Sequence, residues 1–188
     1  MQSINTISLV QRYWQVYIQP GAFCIDATAG RGHDTERLCR LAGLNGRVLA
    51  FDIQQEAVAA TKERLAKAGL SAEVLKASHA DMAEYAAPDS VDAIVFNLGY
   101  LPGADHGVFT VPPTSIPALK TALELLRPGG VLTVCAYAGG RQGTVERDAV
   151  LAFVRDLPSS RYQVEVELFS DRPGLPPVPI CIKKRVPC

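Results

Sequence analysis

The sequence has little that would mark it for a membrane, a metal or an oxidising compartment. No apolar stretch approaches the roughly 20 residues that cross a bilayer, so no membrane association is expected. The amino end carries no charged segment followed by an apolar block, and no secretory leader is expected either. The five cysteines, Cys24, Cys39, Cys135, Cys181 and Cys188, are odd in number and lack any CxxC spacing, which argues against a zinc site or a disulfide framework. Cys24, Cys135 and Cys181 sit in strand-like apolar runs and read as buried, inert thiols. Net charge is missing as well: 19 Lys plus Arg balance 19 Asp plus Glu, so no global field pulls nucleic acid or an anionic membrane toward the protein. A nucleic-acid substrate would then need a local patch. The one basic run, Lys183-Lys184-Arg185, reads as a solvated tail. Repeats, linkers and low-complexity tracts are lacking, and 188 residues suit one compact cytoplasmic domain spanning residues 1–188.

What is present is an alternation. A first helical spacing (Ile7, Val10, Trp14, Tyr17) is followed by the Pro20-Gly21 turn and a short apolar run, Phe23-Cys24-Ile25. Further strand-like runs are predicted at Arg47 to Asp52, Ala72 to Lys76, Val91 to Asn97 and Val131 to Tyr137. Between them, Gln54 to Ala68 places Ala57, Val58, Thr61, Leu65 and Ala68 on one helical face and stops at Gly69. Leu119, Ala122, Leu123 and Leu126 predict a helix capped by Thr114 or Ser115 and stopped by Pro128-Gly129-Gly130. Val150, Phe153, Val154 and Leu157 predict another, capped at Thr144, with Glu146 in its first turn and Pro158 at its end. Continuously apolar strands alternating with helices predict a doubly wound, mostly parallel α/β sheet. Near the carboxyl end Tyr162, Val164, Val166 and Leu168 alternate with polar residues, and Val178 to Ile182 follows a Pro-rich turn. Two strands joined without a helix must pair antiparallel, so the sheet should finish in a hairpin, the Rossmann-like outline of class I methyltransferases.

The stretch Asp26-Ala27-Thr28-Ala29-Gly30-Arg31-Gly32-His33-Asp34-Thr35 leaves an apolar strand and enters a helix. Its glycines let backbone N–H groups approach a ligand, and the helix start favours a carboxylate or phosphate. A dinucleotide fingerprint needs a third glycine where Thr35 stands, which disfavours NAD. Asp26 would repel a pyrophosphate but could help hold the ammonium of a methionine moiety, which favours S-adenosylmethionine as cofactor. Gly30, Arg31, Gly32, His33 and Asp34 are the matching candidates in the turn. Asp52 ends the second strand, where a carboxylate would accept from both ribose hydroxyls; Gln54 could reach the ribose or adenine edge. Ser78 and His79 follow the third strand, where adenine lies in such sheets.

The fourth strand ends in Asn97-Leu98-Gly99-Tyr100-Leu101-Pro102-Gly103, at the sheet edge that binds ligands. Asn, two small or apolar residues and an aromatic are similar to the Asn-Pro-Pro-Tyr motif of enzymes that methylate nitrogen, here without the prolines. Asn97 and Tyr100 are the candidate catalytic residues, with the Leu98 carbonyl as a second orienter of an amine; Asn97 and Leu98 are also candidate cofactor contacts. Tyr100, Tyr137 and Gly139 are the candidate substrate residues; the Tyr137 to Gly143 loop borders the same edge, and His106 lies in the loop before. No base is identifiable, and methyl transfer from a sulfonium requires no metal or triad.

Together, DATAGRGHDT, AFDIQ, Ser78-His79, FNLGYLPG, LLRPGG and the Tyr-x-Gly…Gly-x-x-Glu arrangement ending at Glu146 resemble the rRNA methylase-like family of small class I methyltransferases, from about Gly21 to Lys183. The resemblance implies S-adenosylmethionine dependence, cofactor contacts at Arg31, Asp34, Asp52, Gln54, Ser78 and His79, and N-methylation of the aminomethyl group of 5-aminomethyl-2-thiouridine at the tRNA wobble position. Family members are often dimers, so a homodimer is expected, although no interface is legible in the sequence. The chain departs from the family pattern at Arg31 (usually Asn), Gly140 (His), Gln142 (Gly) and Asp171-Arg172 (Asn-Gln). A methyltransferase acting on rRNA or a small molecule, and a cofactor-binding module without activity, stay open as alternatives; a nicotinamide oxidoreductase is opposed by Thr35.

Overall fold

The order of elements follows from alternating apolar runs and amphipathic helices. In chain order they are α1 (Thr6–Tyr17), β1 (Phe23–Asp26), α2 (His33–Ala42), β2 (Arg47–Asp52), α3 (Gln55–Lys67), β3 (Glu73–Lys76), a 3-10 segment (His79–Glu84), β4 (Val91–Leu98), α4 (Pro112–Leu125), β5 (Leu126–Ala136), α5 (Gly140–Arg155), β6 (Tyr162–Val166) and β7 (Val178–Lys184). The computed structural model describes residues 6–99, 110–167 and 176–187. One sheet of seven strands runs β3-β2-β1-β4-β5-β7-β6. Neighbours from β3 to β5 are parallel, and β7 is antiparallel to both β5 and β6.

Side chains alternate between the two faces, as strand geometry requires. Ile25, Phe51, Ile94, Phe96 and Leu132 join Met82, Leu119, Ala122, Val150 and Val154 beneath α4 and α5. Cys24, Val48, Ala93 and Cys135 join Trp14, Leu38, Val58 and Leu65 beneath α1 to α3. Each fully buried side chain of this size contributes about 1.5–3 kcal/mol, so two filled faces hold the sheet between its helices. Trp14 is fully buried and its indole N–H donates to Thr133 Oγ1 at 2.8 Å, pinning α1 to β5. The three strand cysteines are buried as expected, each thiol pushed up to about 12 by desolvation; Cys39 is buried too. Among the described residues no helix is long and apolar enough to cross a membrane.

Local chemistry explains where elements stop and where expectation and structure part. Gly69, with φ +64°, takes the left-handed position after α3, and the Leu70 N–H returns to the Leu65 carbonyl. Thr114 and Ser115 do not cap α4: Val111 is its N-cap, Pro112 and Pro113 occupy the first turn where a missing N–H costs nothing, and both hydroxyls donate back to the Val111 carbonyl at 3.0 Å. Thr144 does not cap α5 either, because the helix already starts at Gly140 with Gly139 as N-cap. Glu146 therefore sits one turn deeper than expected, and it is buried. Lys184 is not part of a solvated tail. It is 8% exposed, and its Nζ binds Asp89 Oδ1 at 2.7 Å and the Leu123 carbonyl at 2.8 Å, tying β7 to the end of α4. Lys183 lies over the Tyr17 ring and Arg185 Nε donates to the Ser159 carbonyl. The expected hairpin is present as the β6–β7 pair, with β7 inserted between β5 and β6. Leu168, Pro173, Asp171, Arg172 and Cys188 lie outside the described residues.

Candidate cofactor and substrate site

The sheet order reverses direction between β1 and β4, and a crevice at the carboxyl ends of strands is expected there. A cavity of about 820 Å³ occupies that place, walled by the segments that follow β1, β2, β3 and β4. The Gly-rich turn is its floor. The Ala27 N–H donates to the Val95 carbonyl and the Gly30 N–H donates to Asp52 Oδ2, both at 2.9 Å, so β1, β2 and β4 share one hydrogen-bonded base. Gly32 sits at φ +77°, and a Cβ there would lie 2.9 Å from the Thr61 Cα; only glycine lets α2 start this close to α3.

Of the turn's candidates, Gly30, Arg31, His33 and Asp34 line the cavity, while Asp26 and Gly32 do not. Asp26 is completely buried. Its oxygens accept from the Thr28 N–H at 3.1 Å and the Thr35 hydroxyl at 2.6 Å. Desolvation, reinforced by the charge of Asp34, pushes its carboxyl up to about 7. Thr35, which breaks the dinucleotide pattern, is thus the partner of a buried acid. Arg64 draws the rim together, its Nε donating to the Arg31 carbonyl at 2.8 Å and its Nη2 lying 3.1 Å from His33 Nε2.

Asp52, Gln54, Ser78 and His79 all line the other end of the cavity. Asp52 Oδ1 accepts from the Gln54 N–H at 2.9 Å, which orients the carboxylate while leaving lone pairs free. Gln54 is the N-cap residue of α3, with no side-chain cap bond. Ser78 caps the 3-10 segment by accepting from the Ala80 N–H at 3.1 Å. His79 packs against Phe96, hydrogen-bonds the Ala27 carbonyl and is held in its neutral form by burial. Its Nε2 is shielded from water without a partner among the described residues, so an acceptor lone pair is left waiting.

Asn97, Leu98 and Gly99 close the cavity from β4. The Asn97 backbone N–H donates to Thr28 Oγ1 at 2.7 Å, and its side-chain Nδ2 donates to Asp34 Oδ2 at 2.5 Å. Asn97 Oδ1 is shielded and has no partner among the described residues. The Leu98 carbonyl already accepts from the Tyr137 N–H at 3.2 Å, with one lone pair to spare. Burial raises the Asp34 carboxyl, opposed by hydrogen bonds from Asn97 and Gln11. Tyr137 is half-buried in the wall, its phenol pushed up to about 12 by desolvation, whereas Gly139 is exposed and outside the wall. Tyr100 and His106 lie outside the described residues.

Two participants carried no signal in the sequence: Gln11, brought from α1 into the wall, and Thr110. Thr110 Oγ1 accepts from the Gly99 N–H at 2.8 Å and donates to Glu146 Oε2 at 2.5 Å, linking α5 to the Asn97 loop. The wall is rich in acceptors. It suits a ligand with a positive centre, ribose hydroxyls and an adenine edge, and no group of residues among those described could hold a metal.

Comparison with known proteins agrees with this geometry. A family model described as putative rRNA methylase matches residues 48–183. The chloroplastic tRNA (mnm(5)s(2)U34)-methyltransferase of Arabidopsis thaliana is 36% identical over 158 residues, covering 78% of this chain and 58% of that protein, so the chain spans little more than half of that relative. The crystal structure of a protein described as a putative rRNA methylase from Clostridium thermocellum is 38% identical and superposes with a TM-score of 0.94 over 98% of this chain and 100% of that one. A protein described as a putative methyltransferase from Streptococcus mutans, solved in complex with S-adenosylhomocysteine, is 34% identical with a TM-score of 0.88, over 98% and 99% of the two chains.

Proposed function

This chain belongs to the putative rRNA methylase family, and from that premise we propose that it methylates the aminomethyl nitrogen of 5-aminomethyl-2-thiouridine at the wobble position of tRNA. It is an S-adenosylmethionine-dependent methyltransferase. The residues present fit that cofactor: Asp52 offers acceptors for the ribose hydroxyls, His79 Nε2 an acceptor for an adenine amino group, and the Gly30 to Asp34 turn a place for the methionine end. Gln54 and Ser78 would line the nucleoside; Asp26, buried beneath the floor, would hold the turn through Thr28 and Thr35 rather than touch the ligand. When bound, the cofactor supplies a methyl group on a positively charged sulfur, already activated for displacement.

The observation that carries the amine reading is the Asn97 amide oxygen in the cavity wall, which has no partner among the described residues. A buried acceptor without a donor is costly, by about 1–3 kcal/mol, and the N–H of an incoming amine removes that cost. Asn97 Oδ1 and the free lone pair of the Leu98 carbonyl would take the two N–H groups of a neutral primary amine, which turns its own lone pair toward the methyl donor. In the transfer the nitrogen would form its bond to the methyl carbon as that carbon's bond to sulfur breaks, leaving the neutral thioether S-adenosylhomocysteine, and the ammonium so formed would release its proton to water. Tyr137 would bound the base, with Gly139 at the rim. The tRNA target is supported by the name of the Arabidopsis relative.

The test is direct. Purified protein, S-adenosylmethionine and tRNA carrying the aminomethyl nucleoside are incubated, and digested nucleosides are weighed by mass spectrometry. Conversion to the methylaminomethyl form is expected. An unconverted tRNA would remove this substrate, and methylation of rRNA in a parallel reaction would move the assignment there.

A further inference from the structure

We propose that Gln11 and Asp34 are positioning residues, which set the Asn97 side-chain amide with its nitrogen inward and its oxygen left for the substrate amine. The proposal rests on the amine-methylation reading and adds to it the device that decides which end of the amide meets the substrate.

A side-chain amide has two ends of nearly the same shape and opposite chemistry. If the nitrogen faced an amine, two donors would confront each other and the lone pair would be turned the wrong way. Something must select the orientation, and packing alone cannot. Asp34 can. It stands in the first turn of α2, and its Oδ2 accepts from Asn97 Nδ2 at 2.5 Å. The Asp34 oxygen that meets Asn97 is an acceptor, so it takes the nitrogen end. The backbone of Asn97 is fixed separately by its N–H bond to Thr28 Oγ1 at 2.7 Å. With both of those made, the oxygen end is the one group of this side chain still without a partner among the described residues.

Gln11 completes the device from α1. Its side chain hydrogen-bonds Asp34, and both residues line the same cavity as Asn97. A neutral amide donor steadies the carboxylate without cancelling its charge, as a lysine would. Three elements that are far apart in sequence, α1, α2 and β4, thereby converge on one oxygen atom.

The experiment exchanges the two ends of the pair. Asn97→Asp sets two carboxylates against each other and should lower kcat by about 100-fold at saturating S-adenosylmethionine. Asp34→Asn combined with Asn97→Asp restores a donor facing an acceptor and leaves a carboxylate oxygen where the amide oxygen was. The double variant should recover at least about tenfold over Asn97→Asp alone in kcat, read at S-adenosylmethionine concentrations that saturate each variant. A double variant that melts like the wild type and is no faster than Asn97→Asp overturns the proposal. A second arm needs no turnover. In nitrogen-15 NMR spectra the Asn97 side-chain NH2 signals, assigned by their loss in Asn97→Asp, should shift in Asp34→Asn and in Gln11→Ala; signals unmoved by Asp34→Asn also overturn it. Failure of the wild type to methylate the amine would instead strike the substrate reading, and the NMR arm still decides the pairing.

Discussion

Asp26 shows what burial does to a single carboxyl group. Its oxygens are taken by Thr28 and Thr35, no cation among the described residues is bonded to it, and desolvation raises it from an ordinary 3.8 to about 7. The folded value lies above the unfolded one, so the native state binds the extra proton. The stabilising contribution is complete below about pH 4 and is lost as pH rises through about 7. Thermal melts of the cofactor-free protein should show Tm falling across this window, and Asp26→Asn should flatten the fall by one proton's worth. An unchanged slope would contradict the assignment. Asp52 is tied differently, orienting both the Gly30 and the Gln54 N–H groups from the cavity wall. Asp52→Ala should weaken S-adenosylmethionine binding by about 1–3 kcal/mol, roughly 5- to 150-fold. Calorimetry measures this directly, and undiminished affinity would exclude Asp52 from the ribose.

At the scale of elements, the β7–α4 junction turns on one ammonium. Lys184 reaches through the edge of the core to Asp89 and to the carbonyls of Leu123 and Glu124. Lys184→Met keeps the apolar stem and strips the donor from those carbonyls, so urea unfolding should show a loss of about 1–3 kcal/mol. A variant as stable as the wild type would mean that solvent replaces the ammonium at no cost. This contact also marks what a sequence cannot display. β2 was legible to its ends, Arg47 and Asp52, because an interior parallel strand is an uninterrupted apolar run bounded by polar residues. α3 was legible because its apolar face and Gly69 are local signals. Lys184 and Glu146 were not, since the partners that bury them lie 61 and 36 positions away. The Gly-rich turn, Asp52, Ser78, His79 and Asn97 could be placed at one sheet edge from strand ends alone. Gln11 could not, because a helix preceding β1 gives no sign of which strand end it will reach.

For the molecule as a whole, balanced charge bears on how RNA is held. With 19 cationic and 19 anionic residues, the chain has no excess to spread over many phosphates. RNA affinity should then fall by less than about 10³ between 50 and 200 mM salt, below the range of proteins that neutralise 6–10 phosphates. A filter-binding series checks this, and a steeper dependence would point to a basic surface beyond the cavity. The placement of β7 has a different kind of consequence. Among the described residues β6 pairs with β7 alone, and β7 separates it from β5. A ribosome delivers β6 first, so that strand waits without a neighbour while β5 keeps an open edge, and both are filled by a single late insertion. The order of synthesis and the order of assembly are inverted at this end of the sheet, and a nascent chain arrested before Val178 would present to chaperones the two strand edges that the finished protein hides.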